Sequence, residues 1–218
     1  MDGATLQAKI YAGYAKAAQR IGLPYDVFRP TSTDDPLSGV NWVANVNAAF
    51  TIHSASQFAF DKPSDHKNSL YHCLADGSQL QIGDFLTNEA ADGTFFIASM
   101  DAAVPIFAIE CNNVLSAWNP GPSLSIGANG YSGTNPGNET AILTAWPASV
   151  LLGSRATRDQ QLPEDAGFGS WRIMMSAYPG VVIRPGTILT DDQNRRMVVQ
   201  VAELQDLGWR IDATQAVT

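Results

Sequence analysis

The sequence has few charged side chains, few cysteines and no long apolar run. Charged residues make up 16% of its 218 residues, against roughly 25% in an average globular protein. Cys73 and Cys111 are too few for a disulfide framework, so we expect two buried free thiols. No apolar stretch approaches the roughly 18 residues of a membrane span, and the first residues lack the pattern of a signal peptide. These absences predict synthesis in the cytoplasm and no membrane anchor.

Basic clusters are also lacking. The net charge is −8, and the longest basic run is the pair Arg195-Arg196. Proteins that bind nucleic acid tightly carry basic patches that displace counterions from phosphates, so the composition argues against stable DNA binding. Two interpretations of the negative charge remain open. It either keeps the protein soluble, or it forms a surface past which DNA moves without adhering.

Motifs for catalysis are missing as well. No two of the three histidines stand at the spacing of a zinc-binding His-Glu-x-x-His motif. Residues 121–125, GPSLS, resemble a nucleophile elbow but lack its closing glycine. The acidic pairs Asp34-Asp35 and Asp191-Asp192 lie in turn contexts, where Asp favours bonds to the local backbone. The sequence therefore predicts no enzymatic activity, no catalytic residue, no metal and no cofactor.

An amphipathic helix is predicted over residues 1–22. Asp2 can cap its start, and Gly22 and Pro24 end it. Apolar residues recur at steps of three or four, and basic residues share a second face. The apolar face holds Leu6, Ile10, Tyr14, Ala17 and Ile21, and the basic face holds Lys9, Lys16 and Arg20.

The charge of this helix opposes that of the rest of the chain. Residues 1–22 carry +2, which leaves −10 on the remainder. Two interpretations are equally open: the helix packs on its own domain, or it docks on a neighbouring subunit. In the second case its interface residues are Leu6, Lys9, Ile10, Tyr14, Lys16 and Arg20.

An internal repeat runs through the remaining sequence. Residues 80–89, LQIGDFLTNE, align with residues 183–192, IRPGTILTDD, and place Gly83 on Gly186. Farther upstream, Ala48 aligns with Ala148. The alignment continues with 94–98 on 197–201 and 104–111 on 207–214. We infer a duplicated module.

Each module is predicted to be β. Short β-branched runs alternate with glycine-containing turns, as in small barrels and sandwiches. The predicted fold is therefore mainly β, with two similar small β-barrel or sandwich modules in tandem after an N-terminal amphipathic α-helix. The predicted divisions are a helix at 1–22, a connecting arm at 23–42, β module 1 at 43–111, a loop or linker at 112–142 and β module 2 at 143–218.

The segment between the modules is rich in Pro, Gly, Ser and Asn. Such a composition favours an exposed linker. Trp118 and Tyr131 are large side chains that a simple linker does not need, and long loops often carry function. We therefore predict that this loop orders against a neighbouring subunit through Trp118 and Tyr131.

Two parts of the sequence resemble structural proteins of tailed bacteriophages. Near the N-terminus these are residues 7–18 (QAKIYAGYAKAA), 20–25 (RIGLPY) and 28–30 (FRP). Near the C-terminus, residues 186–192 (GTILTDD), 195–199 (RRMVV) and 207–210 (LGWR) are similar to the small barrels of head-completion and tail-hub proteins. The resemblance implies a virion protein of the tail or head-to-tail junction without catalytic residues.

The resemblance also implies partners. We expect a ring homo-oligomer, a connector or a nozzle- or hub-like subunit, that contacts an adaptor, the portal, other tail proteins or fibres while genome DNA passes through it. Acids that could face this channel are Asp84, Glu89, Asp191, Asp192 and Glu203. The alternative is a capsid-decorating or fibre-attachment protein outside the conduit. A glycan hydrolase is the least favoured hypothesis, because its paired carboxylates in a cleft are not evident.

Overall fold

The N-terminal helix α1 spans Gly3–Ile21. The computed structural model describes residues 2–52, 69–89, 93–102, 104–121, 138–153 and 170–215. As predicted, Asp2 caps the helix, because its Oδ1 accepts a hydrogen bond from the Thr5 N–H at 2.7 Å. At the other end the Gly22 N–H donates to the Ala18 carbonyl at 2.7 Å, and an extended strand follows directly.

The first six strands form a closed antiparallel barrel. In chain order they are β1 (Leu23–Phe28), β2 (Trp42–Ile52), β3 (Leu70–Leu74), β4 (Phe85–Asn88), β5 (Gly93–Ser99) and β6 (Ile106–Cys111). Around the barrel the order is β1-β2-β3-β6-β5-β4, and β4 pairs back onto β1. Closure leaves few unpaired backbone groups, which suits short strands.

The next six strands form a second closed barrel. In chain order they are β7 (Asn113–Asn119), β8 (Thr140–Leu152), β9 (Ser170–Met175), β10 (Ile188–Asp191), β11 (Arg196–Gln205) and β12 (Gly208–Gln215). Their order around the barrel is β7-β8-β9-β12-β11-β10. This is the order of the first barrel with every strand number raised by six, so the predicted duplication is confirmed.

The repeat extends to single hydrogen bonds. Gly83 donates to the Ile97 carbonyl at 2.8 Å, and Gly186 donates to the Val199 carbonyl at 2.8 Å. Both glycines have a φ of +90°, which residues with a Cβ rarely adopt. A β-bulge follows Ile97 in β5 and Val199 in β11. The two modules therefore share turn, register and bulge.

The structure corrects the end of the sequence alignment. Ile97 corresponds to Val199, so residues 94–98 match 196–200, one residue earlier than predicted. Ala108 pairs with Ile97 and Ala213 pairs with Val199, so β6 matches β12 two residues later than predicted. The turns between these strands differ in length between the repeats, and similarity of residue types alone did not fix the register.

The predicted module boundaries are also wrong. The proposed arm at 23–42 contains β1, and the proposed linker at 112–142 contains β7. Tyr25 and Val27 point into the first core, as Leu115 and Ala117 point into the second. Each module therefore begins about 20 to 30 residues earlier than predicted, because a barrel of this order closes only when its first strand pairs with its fourth.

The two barrels pack through a shared apolar core. Leu86 and Ile97 point into the first barrel, whereas Phe85 and Phe96 on the same strands point outward and join the core cluster of the second barrel. The rings of Phe85 and Trp146 meet edge to face, with centroids 5.8 Å apart. The first barrel thus supplies aromatic side chains to its neighbour, and this junction fixes the two modules against each other.

Candidate functional site

Asp84, one of the acids predicted to face a channel, is buried. Its side chain is 1% exposed and accepts two hydrogen bonds from Arg29, from Nε at 2.8 Å and from Nη2 at 2.7 Å. The backbone N–H of Gln81 donates a third at 2.7 Å. A carboxylate desolvated to this degree needs such partners. Asp84 therefore holds the turn before β4, and its assignment to a channel surface is wrong.

Asp191 is likewise buried and paired. Its carboxylate accepts bonds from the Gln193 N–H at 3.0 Å, the Arg195 N–H at 2.7 Å and the Arg195 Nε at 2.5 Å. The Arg195 guanidinium also lies over the Trp171 ring, 4.9 Å from its centroid. Asp191 closes the β10–β11 turn, so the structure removes it from the channel candidates too.

The remaining predicted acids are exposed. Glu89 follows β4 and Asp192 follows β10, so the two residues occupy corresponding positions in the two repeats. Glu203 lies on β11, where its Oε2 accepts a bond from Gln205 Nε2 at 2.8 Å. Of the five predicted channel acids, Glu89, Asp192 and Glu203 are the three that place their charge in solvent.

Trp118 is a barrel residue, which corrects its assignment to a linker. It pairs with Ile188 of β10 and Ala141 of β8. Its side chain lines a cavity of about 420 Å³ together with Asp191 and Asp192. Glu139 and Arg196 also line this cavity and form a nearly buried ion pair. Arg195 binds Asp191 and Arg196 binds Glu139, so both arginines already pair with carboxylates of the barrel wall and stabilise it. Tyr131 lies outside the described residues.

The helix packs on its own barrel by a face that overlaps the predicted one. Ala18 is fully buried, and Tyr11 packs onto the first core beside Gly77. Tyr11 and Ala15 are half-buried, as is the middle of the predicted face, whereas Leu6 and Ile21 at its two ends are 47% and 68% exposed. The predicted apolar face therefore only partly coincides with the packed one: its middle packs toward the barrel, and its ends face solvent.

The other helix residues predicted for an interface remain accessible. Ile10 and Tyr14 are half-buried, and Lys9, Lys16 and Arg20 are exposed. Intramolecular packing thus coexists with a basic outer face. The contact predicted between this face and a neighbouring subunit stays a prediction.

A patch that the sequence analysis missed lies at the start of β2. Val40, Trp42 and Val43 are 86%, 52% and 41% exposed. Trp42 is held in place by a hydrogen bond from its Nε1 to Asp26 Oδ1 at 3.0 Å. An exposed apolar patch of this kind marks a contact surface more often than a site for chemistry. The only sequence signal was the run of apolar residues in GVNWV, which is equally typical of a buried strand.

Among the residues that the structure describes, the nucleophilic and metal-ligating side chains are dispersed. Cys73 is fully buried, and burial raises the pKa of its thiol to about 12, so the thiol stays protonated at neutral pH. His72 packs against the Phe107 ring. In the part of the chain that the structure describes, no three His, Cys, Asp or Glu side chains form a metal-binding group, and no helix combines the length and apolar character of a membrane span.

Comparisons with known proteins do not extend this account. A scan against protein-family models, a search of curated proteins and a search of solved structures each found no match to this chain.

Proposed function

We propose that this chain is a structural subunit of a tailed-bacteriophage particle. In this role it forms a ring in the tail or at the head-to-tail junction, and DNA passes through the centre. The observation that carries the proposal is the duplicated closed barrel: two copies of one rigid module packed through a common core. The resemblance of the helix and of the second module to phage structural proteins supports it.

Charge supports the same role. The body outside residues 1–22 carries −10, and Glu89, Asp192 and Glu203 place carboxylates in solvent. Lys and Arg contacts to phosphates each strengthen DNA binding, so a wall without basic clusters lets DNA slide. At physiological salt the repulsion reaches only about 8 Å. It keeps the DNA from adhering without blocking its passage.

The proposal predicts the phenotype of a phage in which the gene for this chain carries an early stop codon. Heads should fill with DNA but fail to join functional tails, and infectivity should fall by several orders of magnitude. The full-length gene on a plasmid should restore it, and a synonymous codon change is the matched control. Electron microscopy of the lysate measures the joining of heads and tails.

Two results of that experiment would count against the proposal. Infectious particles of normal form would show that the chain is dispensable for assembly. Antibody labelling over the head surface or the fibres, with tails joined normally, would instead support the decorating or fibre-attachment role outside the conduit.

A further inference from the structure

One exposed tryptophan on the first barrel is held in place by its neighbours. Trp42 is 52% exposed, whereas the other four tryptophans of the chain are buried or half-buried. Its Nε1 donates a hydrogen bond to Asp26 Oδ1 at 3.0 Å, and Asn45 Nδ2 donates to the same oxygen at 3.2 Å. These bonds fix the orientation of an indole that remains accessible to solvent. We refer to Trp42, Asp26 and Asn45 as the indole platform.

The indole platform depends on a β-bulge. Trp42 and Asn45 are three residues apart on β2, so in a regular strand their side chains would point to opposite faces. The register between β1 and β2 shifts between Val27 and Phe28, and the extra residue on β2 brings both side chains to the outer face beside Asp26. Bulges often re-aim side chains in this way next to functional sites.

Hydrogen bonds also fix the backbone that carries Trp42. Asn41, the preceding residue, is 2% exposed. Its side-chain oxygen accepts bonds from the Thr31 N–H at 3.2 Å and from Thr31 Oγ1 at 2.7 Å. Its amide nitrogen donates to the Asp35 and Pro36 carbonyls at 3.1 and 3.2 Å. A surface held by such a network loses little conformational freedom when a ligand binds.

The barrel fold does not require the indole platform. By register, Asp26 corresponds to Ser116 of the second barrel, because each lies opposite the equivalent threonine of its fourth strand. Trp42 corresponds to Ala141, which occupies the same place opposite the first strand of its barrel. The second barrel closes in the same strand order without the tryptophan and the carboxylate. Their presence in the first barrel therefore points to a role other than folding.

The chemistry of the platform fits a neutral sugar. Both bonds to Asp26 reach Oδ1, and within the described residues its Oδ2 receives no hydrogen bond. Asn45 and Asn47 are exposed on the same face of β2, where their amides can donate and accept. A pyranose ring offers an apolar C–H face to the indole and hydroxyl groups to the carboxylate and the amides. The negative charge of Asp26 disfavours phosphates and acidic sugars.

A protein partner suits this surface less well. The centre of a protein interface is depleted of Asp, and covering a carboxylate costs free energy unless the partner supplies hydrogen bonds to it. A sugar supplies hydroxyl donors to Asp26 and leaves part of the site in water. Val40 and Val43, which are 86% and 41% exposed, add apolar area next to the indole.

We propose that the indole platform binds a neutral pyranose unit of a glycan. The Trp42 ring packs against the C–H face of the sugar, and Asp26 and Asn45 bond to its hydroxyl groups. The site lies on the first barrel alone and does not depend on ring formation. It therefore adds a binding activity to the proposed structural role.

The test monitors Trp42 directly. The purified full chain is titrated with methyl pyranosides and linear tetrasaccharides of glucose, galactose, mannose and N-acetylglucosamine, up to about 20 mM, because a small contact area gives weak binding. At least one of these sugars should bind in calorimetry and protect the tryptophan fluorescence from acrylamide quenching. A tetrasaccharide of galacturonic acid should bind more weakly, and Asp26→Asn, which keeps an acceptor for the indole, should reduce that difference.

Substitutions locate the site. Trp42→Ala and Asp26→Ala should each weaken binding by at least about tenfold, and Trp42→Phe, which keeps an aromatic ring, should retain part of the affinity. Leu204→Ala is the matched control, because Leu204 is 58% exposed on the second barrel. It should bind like the parent chain. Circular dichroism should be the same for all variants, because the replaced side chains lie outside the core.

Four results would overturn the proposal. They are a parent chain that binds none of the neutral sugars, and a Trp42→Ala variant that binds them with the affinity of the parent. The third is protection of Trp42 that appears without sugar as the protein concentration rises, which would show a contact between copies. The fourth is binding of choline in place of the sugars, which would show a site for cations. The stop-codon phage tests the proposed function separately.

Discussion

Replacing Phe85 by alanine is expected to lower the free energy of unfolding by about 3–5 kcal/mol, the usual cost of removing a buried phenylalanine ring. Phe85 is fully buried although it points out of its own barrel. Its ring fills the junction against Trp146. Because a large part of the contact between the barrels is lost, we expect the two modules to unfold less cooperatively. Denaturant unfolding followed by tryptophan fluorescence and circular dichroism measures both effects.

Phe107→Ala is the matched control. Phe107 also points outward from the first barrel, on β6, but it is only half-buried and lies outside the junction. Removing the same ring there should cost less than half as much and leave unfolding cooperative. Equal losses in the two variants would show that the junction contributes no special stability, and the description of the barrels as one packed body would then be wrong.

The second large effect is expected at the β10–β11 turn. Asp191→Ala should lower the free energy of unfolding by about 2–4 kcal/mol, somewhat less than for a fully buried ion pair because Arg195 remains 30% exposed. The substitution leaves the Gln193 and Arg195 N–H groups without their acceptor and Arg195 without its counter-charge. Thermal and urea unfolding measure the loss.

Asp192→Ala removes the same formal charge one residue later. Asp192 is exposed, so its replacement should change stability by no more than about 0.5 kcal/mol. A cost for Asp192→Ala equal to that of Asp191→Ala would mean that net charge, not the buried pair, governs this turn. Because Asp191 supports the fold, any test of a channel surface by charge reversal should use Glu89, Asp192 and Glu203 instead.

The sequence contained enough to predict the helix and the repeat. Asp2 and Gly22 bound the helix, and Gly83 and Gly186 align because each turn needs a positive φ that glycine readily adopts. The first strand of each barrel was not recognised. β1 and β7 are six and seven residues long; β1 contains Pro24, and β7 is followed by a Pro- and Gly-rich run. Only barrel closure, which is a long-range property, identifies these segments as strands.

The acids show a similar limit. Asp84 and Asp191 read as turn residues, and both do lie in turns. Each carboxylate pairs with an arginine. Asp84 pairs with Arg29, 55 residues away in sequence, and Asp191 pairs with Arg195, four residues away. The pairing of Asp84 with Arg29 leaves no pattern in the local sequence, whereas the i,i+4 spacing of Asp191 and Arg195 is present in the sequence.

Cryo-electron microscopy of the assembled chain, purified or in the particle, tests the central claim most directly. The account predicts closed rings of this chain around a central channel. It also predicts Glu89, Asp192 and Glu203 on or near the channel wall. Monomers, two-fold dimers, or rings without a central channel would contradict it.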